Sequence, residues 1–210
     1  MVDTVLMSAQ GDELSLNHLD SYDGVVILGG PMGALDDRKF PSLAVEREIA
    51  REAVKRRIPI LGVCLGHQLL AVALGGELLA AATEEIGVGT VQLASDSPYF
   101  GDTNQQIPVV HWHRDSVTPP PGATILATTE QCPVQAFRLG SAIGVQFHVE
   151  LTPQLFSDWL HRESMIVDLP AGVSPAELSS DFNRSAGELA AIGSRLINGF
   201  LSDVADSRQG

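Results

Sequence analysis

Residues 58–68 read IPILGVCLGHQ, an apolar run that leads through a glycine-flanked cysteine into a helical run. Gly62 and Gly66 lack a Cβ, and a tight turn with close helix–strand packing requires such residues. A cysteine at this turn faces the free backbone N–H groups of the helix start, which stabilise a thiolate. The stretch therefore predicts a strand–turn–helix unit with Cys64 as a nucleophile, whereas most free cysteines are small core residues.

A second motif offers a base for this nucleophile. Residues 141–147 read SAIGVQF, a buried-strand pattern that ends in His148, Val149 and Glu150. Side chains at i and i+2 of an extended segment share a face, so Glu150 can orient the His148 ring while the other ring nitrogen faces Cys64. The spacing predicts a nucleophile–base–orienter triad, with a surface ion pair at a strand end as the alternative.

A third motif is a glycine-rich loop. Residues 25–33 read VVILGGPMG, an apolar strand that opens into the loop. Such loops lie at the carboxyl ends of strands in open α/β sheets, where ligands bind. A nucleotide phosphate loop is disfavoured, because the stretch matches neither the Walker pattern nor the dinucleotide fingerprint. We expect backbone N–H groups of this loop, with that of Leu65, to form an oxyanion hole.

In this order and spacing, the three motifs resemble the class I (triad-type) glutamine amidotransferase family, in particular its stand-alone members similar to the glutaminase domain of GMP synthase. The resemblance runs from about residue 23 to about residue 160. It implies hydrolysis of the glutamine side-chain amide. Cys64 would form a thioester, His148 would shuttle protons, and Glu150 would orient His148.

The resemblance also assigns binding positions. It implies that the N–H groups of Leu65 and Gly30 hold the oxyanions, that Gln68 helps to bind glutamine, and that His113 lies near the glutamine pocket. It further implies a flavodoxin-like α/β fold, an open and mostly parallel sheet with flanking helices and an added antiparallel ribbon.

Two features depart from the family pattern. The chain has His148-Val149-Glu150 where the family commonly has His-Pro-Glu, which keeps both functional side chains but loses the ring that restricts the backbone. The family also begins with a strand–helix unit ahead of the segment that corresponds to residues 4–7 here. Without this unit, we expect either that a sheet edge and an apolar helix-docking face are exposed or that something else covers them. A start codon assigned about 30 residues late would explain the absence.

The pattern of apolar runs predicts the elements and two regions. Strands are expected at 25–28, 58–63, 89–94, 109–112, 124–127, 134–138 and 143–147, and helices at 43–56, 66–74 and 153–162. Residues 1–165 would form the amidotransferase-like domain. Residues 166–210 would form a helical extension packed on it, as one or two amphipathic helices interrupted near Arg184.

The composition of the chain limits the classes of partner and the cellular location that we expect. The formal net charge of −13, without a large basic cluster, argues against nucleic acid, and no apolar stretch has the length and continuity of a membrane span. A disulfide between Cys64 and Cys132, the two cysteines of the chain, would consume the nucleophile, so we expect a cytoplasmic protein. The expected ligand is glutamine or a γ-glutamyl compound, with a separate synthetase subunit as the acceptor of ammonia.

His111 and His113 share a strand face near Asp115, but a metal site needs at least a third convergent ligand, which the sequence does not supply. We therefore expect no metal and no cofactor. Residues 84–87 read EEIG and are interpreted either as a family stretch or as a solvated approach to a strand.

Three alternatives to a glutaminase stay open. The first is a γ-glutamyl peptide or amide hydrolase with the same triad. The second is a non-catalytic regulatory module that retains the fold. The third is a thiol hydrolase of the α/β-hydrolase type, but its acid is expected before the histidine, whereas Glu150 follows His148 by two residues.

Overall fold

The computed structural model describes residues 4–7, 16–167 and 169–208. A short 3-10 helix, Leu16–Ser21, precedes the first strand. The strands are β1 (Val25–Ile27), β2 (Ile60–Val63), β3 (Leu78–Leu79), β4 (Glu85–Leu93), β5 (Gln106–His113), β6 (Ser116–Val117), β7 (Thr124–Thr128), β8 (Ala136–Leu139) and β9 (Ala142–Val145). The α-helices are α1 (Ser42–Lys55), α2 (Leu65–Ala73), α3 (Pro153–Leu160), α4 (Glu163–Ile166) and α5 (Pro175–Ser207).

The main sheet has seven strands within these residues, in the order β1-β2-β9-β8-β7-β4-β5, and β3 pairs with β6 separately. Strands β1, β2 and β9 are parallel neighbours, and every later pair in the order is antiparallel. Five strands, β1, β2, β9, β7 and β5, consequently run in one direction. The predicted open α/β sheet with flanking helices is confirmed, and its antiparallel part is a four-strand extension rather than a single ribbon.

Apolar clusters cover both faces of the sheet. All four residues of β2 are buried, as expected for a parallel strand with helices on both sides. Ile60 packs into a cluster with residues of α1 and α2, whereas Leu61 packs into a cluster with residues of α3 and α5. Because β2 lies between these two clusters, the turn that follows it is held from both sides.

The C-terminal region is one continuous helix, α5. A capping box of Ser174 and Glu177 begins it, and apolar side chains along one stripe join the main core. The prediction of an interruption near Arg184 was wrong, because the helix continues through this residue. Phe182 and Leu189 on either side are both buried, and Arg184 Nη1 donates to Ser180 Oγ at 2.8 Å. Among the described residues, no helix has the length and apolar character needed to cross a membrane.

Glycine allows α5 to approach the strand end that follows β9. A Cβ on Gly193 would lie 2.2 Å from the carbonyl oxygen of Val149, whereas a Cβ on Gly187, at an exposed position of the same helix, would meet nothing within 4 Å. We therefore expect Gly193→Ala to destabilise the protein by roughly 2 kcal/mol through overpacking. Gly187→Ala is expected to stabilise it by up to about 1 kcal/mol through helix propensity.

Urea unfolding of both variants measures these two free-energy changes. Equal effects of the two substitutions would contradict the close contact between α5 and the Val149 backbone.

Among the described residues, strand β1 forms one edge of the main sheet. A groove of about 340 Å³ runs between β1 and residues 4–7 and reaches Gly29 and Leu65. Its apolar side chains include Val26 and Leu28, which are 47% and 53% exposed. Residues 4–7 thus lie beside this edge, and neither of the two expectations, an exposed edge or a covered one, is decided by the groove. The expectation of further chain before Met1 concerns positions outside the described residues.

Candidate active site

Cys64 occupies the sharp turn between β2 and α2. Its backbone has φ 53° and ψ −106°, in the left-handed half of φ that residues with a Cβ rarely adopt. The backbone N–H of Cys64 donates to the carbonyl of Val145 at 2.8 Å, which ties the turn to β9. Its side chain lies at the first turn of α2, where unpaired backbone N–H groups and the positive end of the helix dipole favour negative charge.

Two glycines make this turn sterically feasible. A Cβ on Gly62 would lie 2.4 Å from the carbonyl oxygen of Gly66, and a Cβ on Gly66 would lie 2.0 Å from the carbonyl oxygen of Ile27. Both distances are far below van der Waals contact, so helix, turn and strand β1 approach one another more closely than side chains permit.

His148 and Glu150 lie just beyond β9 and are in direct contact. His148 Nδ1 and Glu150 Oε1 are 2.6 Å apart, and the second carboxylate oxygen accepts the N–H of Val149 at 3.0 Å. A backbone bridge between His148 and Val110 attaches this segment to β5. Because Glu150 follows His148 by two residues, its carboxylate reaches the imidazole ring of His148.

The electrostatics of the pair favour an imidazolium. Burial alone would lower the pKa of His148, but the carboxylate of Glu150 and the side chain of Cys64 outweigh burial and hold that pKa well above its usual value. Burial raises the pKa of Glu150, and the charge and hydrogen bond of His148 reverse this shift, so the net pKa lies below its ordinary value.

The glycine loop packs against both of these side chains. A Cβ on Gly29 would lie 3.4 Å from the Cβ of Cys64 and 3.4 Å from Cε1 of His148. A Cβ on Gly30 would lie 3.0 Å from Cδ2 of Leu65. The two residues expected to form the oxyanion hole are therefore neighbours beside the cysteine.

The two expected substrate-binding residues are both buried and make hydrogen bonds within the protein. Gln68 is buried, and its Nε2 donates to Oε1 of Gln146 at 3.1 Å. His113 is buried too, in a polar cluster where its Nδ1 lies 3.1 Å from the carbonyl oxygen of Asp115. The backbone N–H of Gln68 donates to the carbonyl of Cys64 at 3.1 Å, and the roles of both side chains in binding stay predictions.

Aromatic residues that the sequence analysis did not single out border the histidine. The ring of Trp159 on α3 stands perpendicular to His148, with centroids 5.0 Å apart, and Trp112 packs edge-on against Trp159 at 5.9 Å. The carbonyl of Trp112 accepts from the Cys64 thiol at 3.9 Å. Trp159 reads as an ordinary apolar helix position in the sequence, because only tertiary packing brings α3 to the end of β9.

The negative charge of Glu150 is expected to control the protonation of His148. Glu150→Gln keeps the shape of the side chain but removes the negative charge that raises the pKa of His148. Burial, which lowers this pKa, is then less well compensated, so the pKa of His148 should fall by roughly 1–3 units. An NMR titration of ¹⁵N-labelled histidine measures it, with Glu163→Gln on the exposed side of α4 as the control. An unchanged His148 pKa in Glu150→Gln would contradict the electrostatic assignment.

Comparison with known proteins gives a family and several relatives. The family model described as glutamine amidotransferase class-I matches residues 2–166. Gamma-glutamyl peptidase 3 of Arabidopsis thaliana is 30% identical over 70% of this chain and 61% of its own length. A glutamine-hydrolyzing GMP synthase subunit of Sulfolobus acidocaldarius is 36% identical over 65% of this chain and 72% of its own length.

The chain spans less than two thirds of the length of some curated relatives, such as the peptidase. Among solved structures, the crystal structure of a glutamine amidotransferase from Thermotoga maritima superimposes with a TM-score of 0.79 at 33% identity. The match covers 87% of this chain and 79% of that one. The fold and much of the chain are therefore shared with proteins of this kind.

Proposed function

Because the chain belongs to the class I glutamine amidotransferase family, we propose that it hydrolyses the side-chain amide of glutamine through a thioester on Cys64, releasing glutamate and ammonia. The observation that carries the proposal is that Gly29 packs against both Cys64, on its strained turn, and His148, whose ring pairs with Glu150 at 2.6 Å. A nucleophile, a base and a group that orients the base are the parts that acyl transfer needs.

In the proposed mechanism the thiol proton of Cys64 has already passed to His148, in line with the imidazolium that Glu150 favours, and Sγ attacks the amide carbon as a thiolate. The tetrahedral oxyanion is stabilised by the backbone N–H groups of Leu65 and Gly30, each worth roughly 3–4 kcal/mol in the transition state. The C–N bond then breaks as His148 returns the proton to nitrogen, which leaves as ammonia. Water, deprotonated by His148, attacks the thioester, and glutamate is released as the thiol is restored. Glu150 holds the ring and stabilises the imidazolium in both halves.

A γ-glutamyl peptide or amide is the second candidate substrate. Trp159 packs against His148 and Trp112 packs against Trp159, which places apolar surface beside the proposed base. Such a surface suits an amine larger than ammonia, and one relative carries the name gamma-glutamyl peptidase 3. The chemistry at Cys64 would be unchanged, and only the leaving group would differ.

Product analysis separates the two substrates. We expect purified protein to release glutamate and ammonia from L-glutamine with a higher kcat/KM than it releases glutamate from γ-glutamyl dipeptides. A preference for the dipeptides would move the assignment to the peptidase activity. Hydrolysis of neither, by a folded protein whose Cys64 also resists alkylation, would support a non-catalytic module.

The fate of ammonia is part of the proposal. One relative is a subunit of a glutamine-hydrolyzing GMP synthase, and by analogy a separate synthetase subunit would take up the ammonia released here. The alternative is free hydrolysis. Glutamine turnover by the isolated chain at a rate comparable to that of free-standing glutaminases would favour free hydrolysis over transfer of ammonia to a synthetase subunit.

A further inference from the structure

A buried polar cluster lies on the face of β5 opposite Trp112. Glu85, the first residue of β4, pairs directly across the sheet with His113, the last residue of β5, and His111 lies two residues before His113 on the same face. One ring nitrogen of each histidine and one carboxylate oxygen of Glu85 all lie within 4.8 Å of one another. Both histidines are 6% exposed, and the Glu85 side chain is 10% exposed, so the cluster is nearly closed to solvent except beside Glu85.

Two ring nitrogens in the cluster lack hydrogen bonds. His113 Nδ1 faces the carbonyl oxygen of Asp115 at 3.1 Å and Thr83 Oγ1 at 3.3 Å. His113 Nε2 lies 3.2 Å from Glu85 Oε2, but the two atoms are not aligned for a hydrogen bond. His111 Nδ1 has no hydrogen-bond partner in the described part of the chain. Buried polar atoms are normally paired, so two such nitrogens beside a carboxylate require an explanation.

A shared cation would satisfy all three groups at once. Donors bound 2.0–2.1 Å from a tetrahedral ion lie about 3.3 Å from each other, close to the 3.2 Å between His113 Nε2 and Glu85 Oε2. The contact to the Asp115 carbonyl fixes Nδ1 of His113 as the donor and leaves Nε2 as the ligand. Gln135 Nε2 donates to the Glu85 carboxylate at 2.6 Å and holds it in turn. Partners of this kind orient the ligands in known metal sites.

The ligand atoms of the cluster are of the right chemical type. Imidazole nitrogens and carboxylate oxygens bind divalent transition metals, and the three atoms that lie close together here are two imidazole nitrogens and one carboxylate oxygen.

We propose that Glu85, His111 and His113 form a binding site for one divalent transition-metal ion, with Zn²⁺ as the best match. Two imidazoles and one carboxylate are a known three-ligand set for zinc, with water as the fourth ligand on the side where Glu85 reaches solvent. The site reverses the expectation of no metal, because the third ligand missing from the sequence pattern is supplied by β4.

The position of the site indicates a role in holding the strand end. Trp112 lies between the two histidines, and its carbonyl accepts from the Cys64 thiol. A metal that joins β4 to the last residues of β5 would therefore fix the backbone beside Cys64.

Zinc binding is best measured in Cys64→Ala protein, because Cys64 and His148 can also bind the ion. After chelator treatment, competition with a chromophoric zinc indicator should show one Zn²⁺ per chain. X-ray absorption should report two imidazole nitrogens and oxygen ligands, without sulfur. At about 100 times the dissociation constant, Zn²⁺ should raise the melting temperature by roughly 5–10 °C.

Two matched variants locate the ion. Glu85→Gln should weaken binding at least about 100-fold, more than the loss of an outer partner does. Glu84→Gln, the adjacent carboxylate that pairs with Arg114 at the surface, should leave binding unchanged. Substoichiometric binding, a sulfur ligand, or equal effects of the two variants would overturn the proposal. If Glu85→Gln does not fold, stoichiometry and ligand identity in the Cys64→Ala protein decide the question.

Discussion

Replacing Cys64 with alanine is expected to lower glutamine hydrolysis by at least about 10⁴-fold while leaving the fold intact. The sulfur forms the covalent intermediate in the proposed mechanism, and neither His148 nor the N–H groups of the turn replace it. Alanine fits the turn as well as cysteine does, since it carries the same Cβ. Release of glutamate from saturating glutamine, with a circular dichroism spectrum of each protein, measures the effect.

Cys132 provides the matched control for this substitution. It is fully buried, and burial raises the pKa of its thiol to about 11, so this sulfur stays protonated near neutral pH. Cys132→Ala should therefore keep turnover within a few-fold of the unmodified protein. A large loss of turnover in Cys132→Ala together with normal turnover in Cys64→Ala would refute the choice of nucleophile.

Substituting alanine for Gly66 is expected to destabilise the protein by about 3 kcal/mol or more, because a Cβ would lie 2.0 Å from the carbonyl oxygen of Ile27. The contact is with backbone rather than with a flexible side chain, so helix α2 and strand β1 must separate. For a chain of this size the melting temperature should fall by roughly 6–12 °C. Turnover should fall as well, because Leu65 and the Cys64 turn move with the helix.

Thermal unfolding followed by circular dichroism tests this expectation. Gly187→Ala on the exposed face of α5 is the comparison, since it makes the same change in open space. Wild-type stability of Gly66→Ala would mean that the close approach of α2 to β1 does not exist.

The turn and the His148–Glu150 pair were predictable because both are local in sequence. The glycines that flank Cys64 and the two-residue spacing of His148 and Glu150 each depend on a few consecutive residues. Strand and helix positions followed from apolar periodicity for the same reason. The expected activity and the expected roles of the site residues came from the order of the motifs along the chain, which resembles that of a known family.

The cluster of Glu85, His111 and His113 was not predictable because it depends on strand register. The packing of Trp159 and Trp112 beside His148 was not predictable because it depends on tertiary contacts. Glu85 meets His113 only when β4 and β5 pair in the observed register, and 27 intervening positions in the sequence carry no sign of it. Trp159 reaches His148 because α3 folds back over the end of β9. The continuity of α5 likewise depends on buried contacts on both sides of Arg184, which local propensity does not report.

The central claim is that Cys64 is a nucleophile that recognises glutamine. Intact-mass measurement after incubation with a glutamine analogue that carries an electrophile at the side-chain carbon tests it most directly. We predict one label per chain on Cys64, no label in Cys64→Ala, slower labelling in His148→Ala, and protection by excess glutamine. A folded protein that takes no label, or that takes it on Cys132 or without protection by glutamine, would contradict the account.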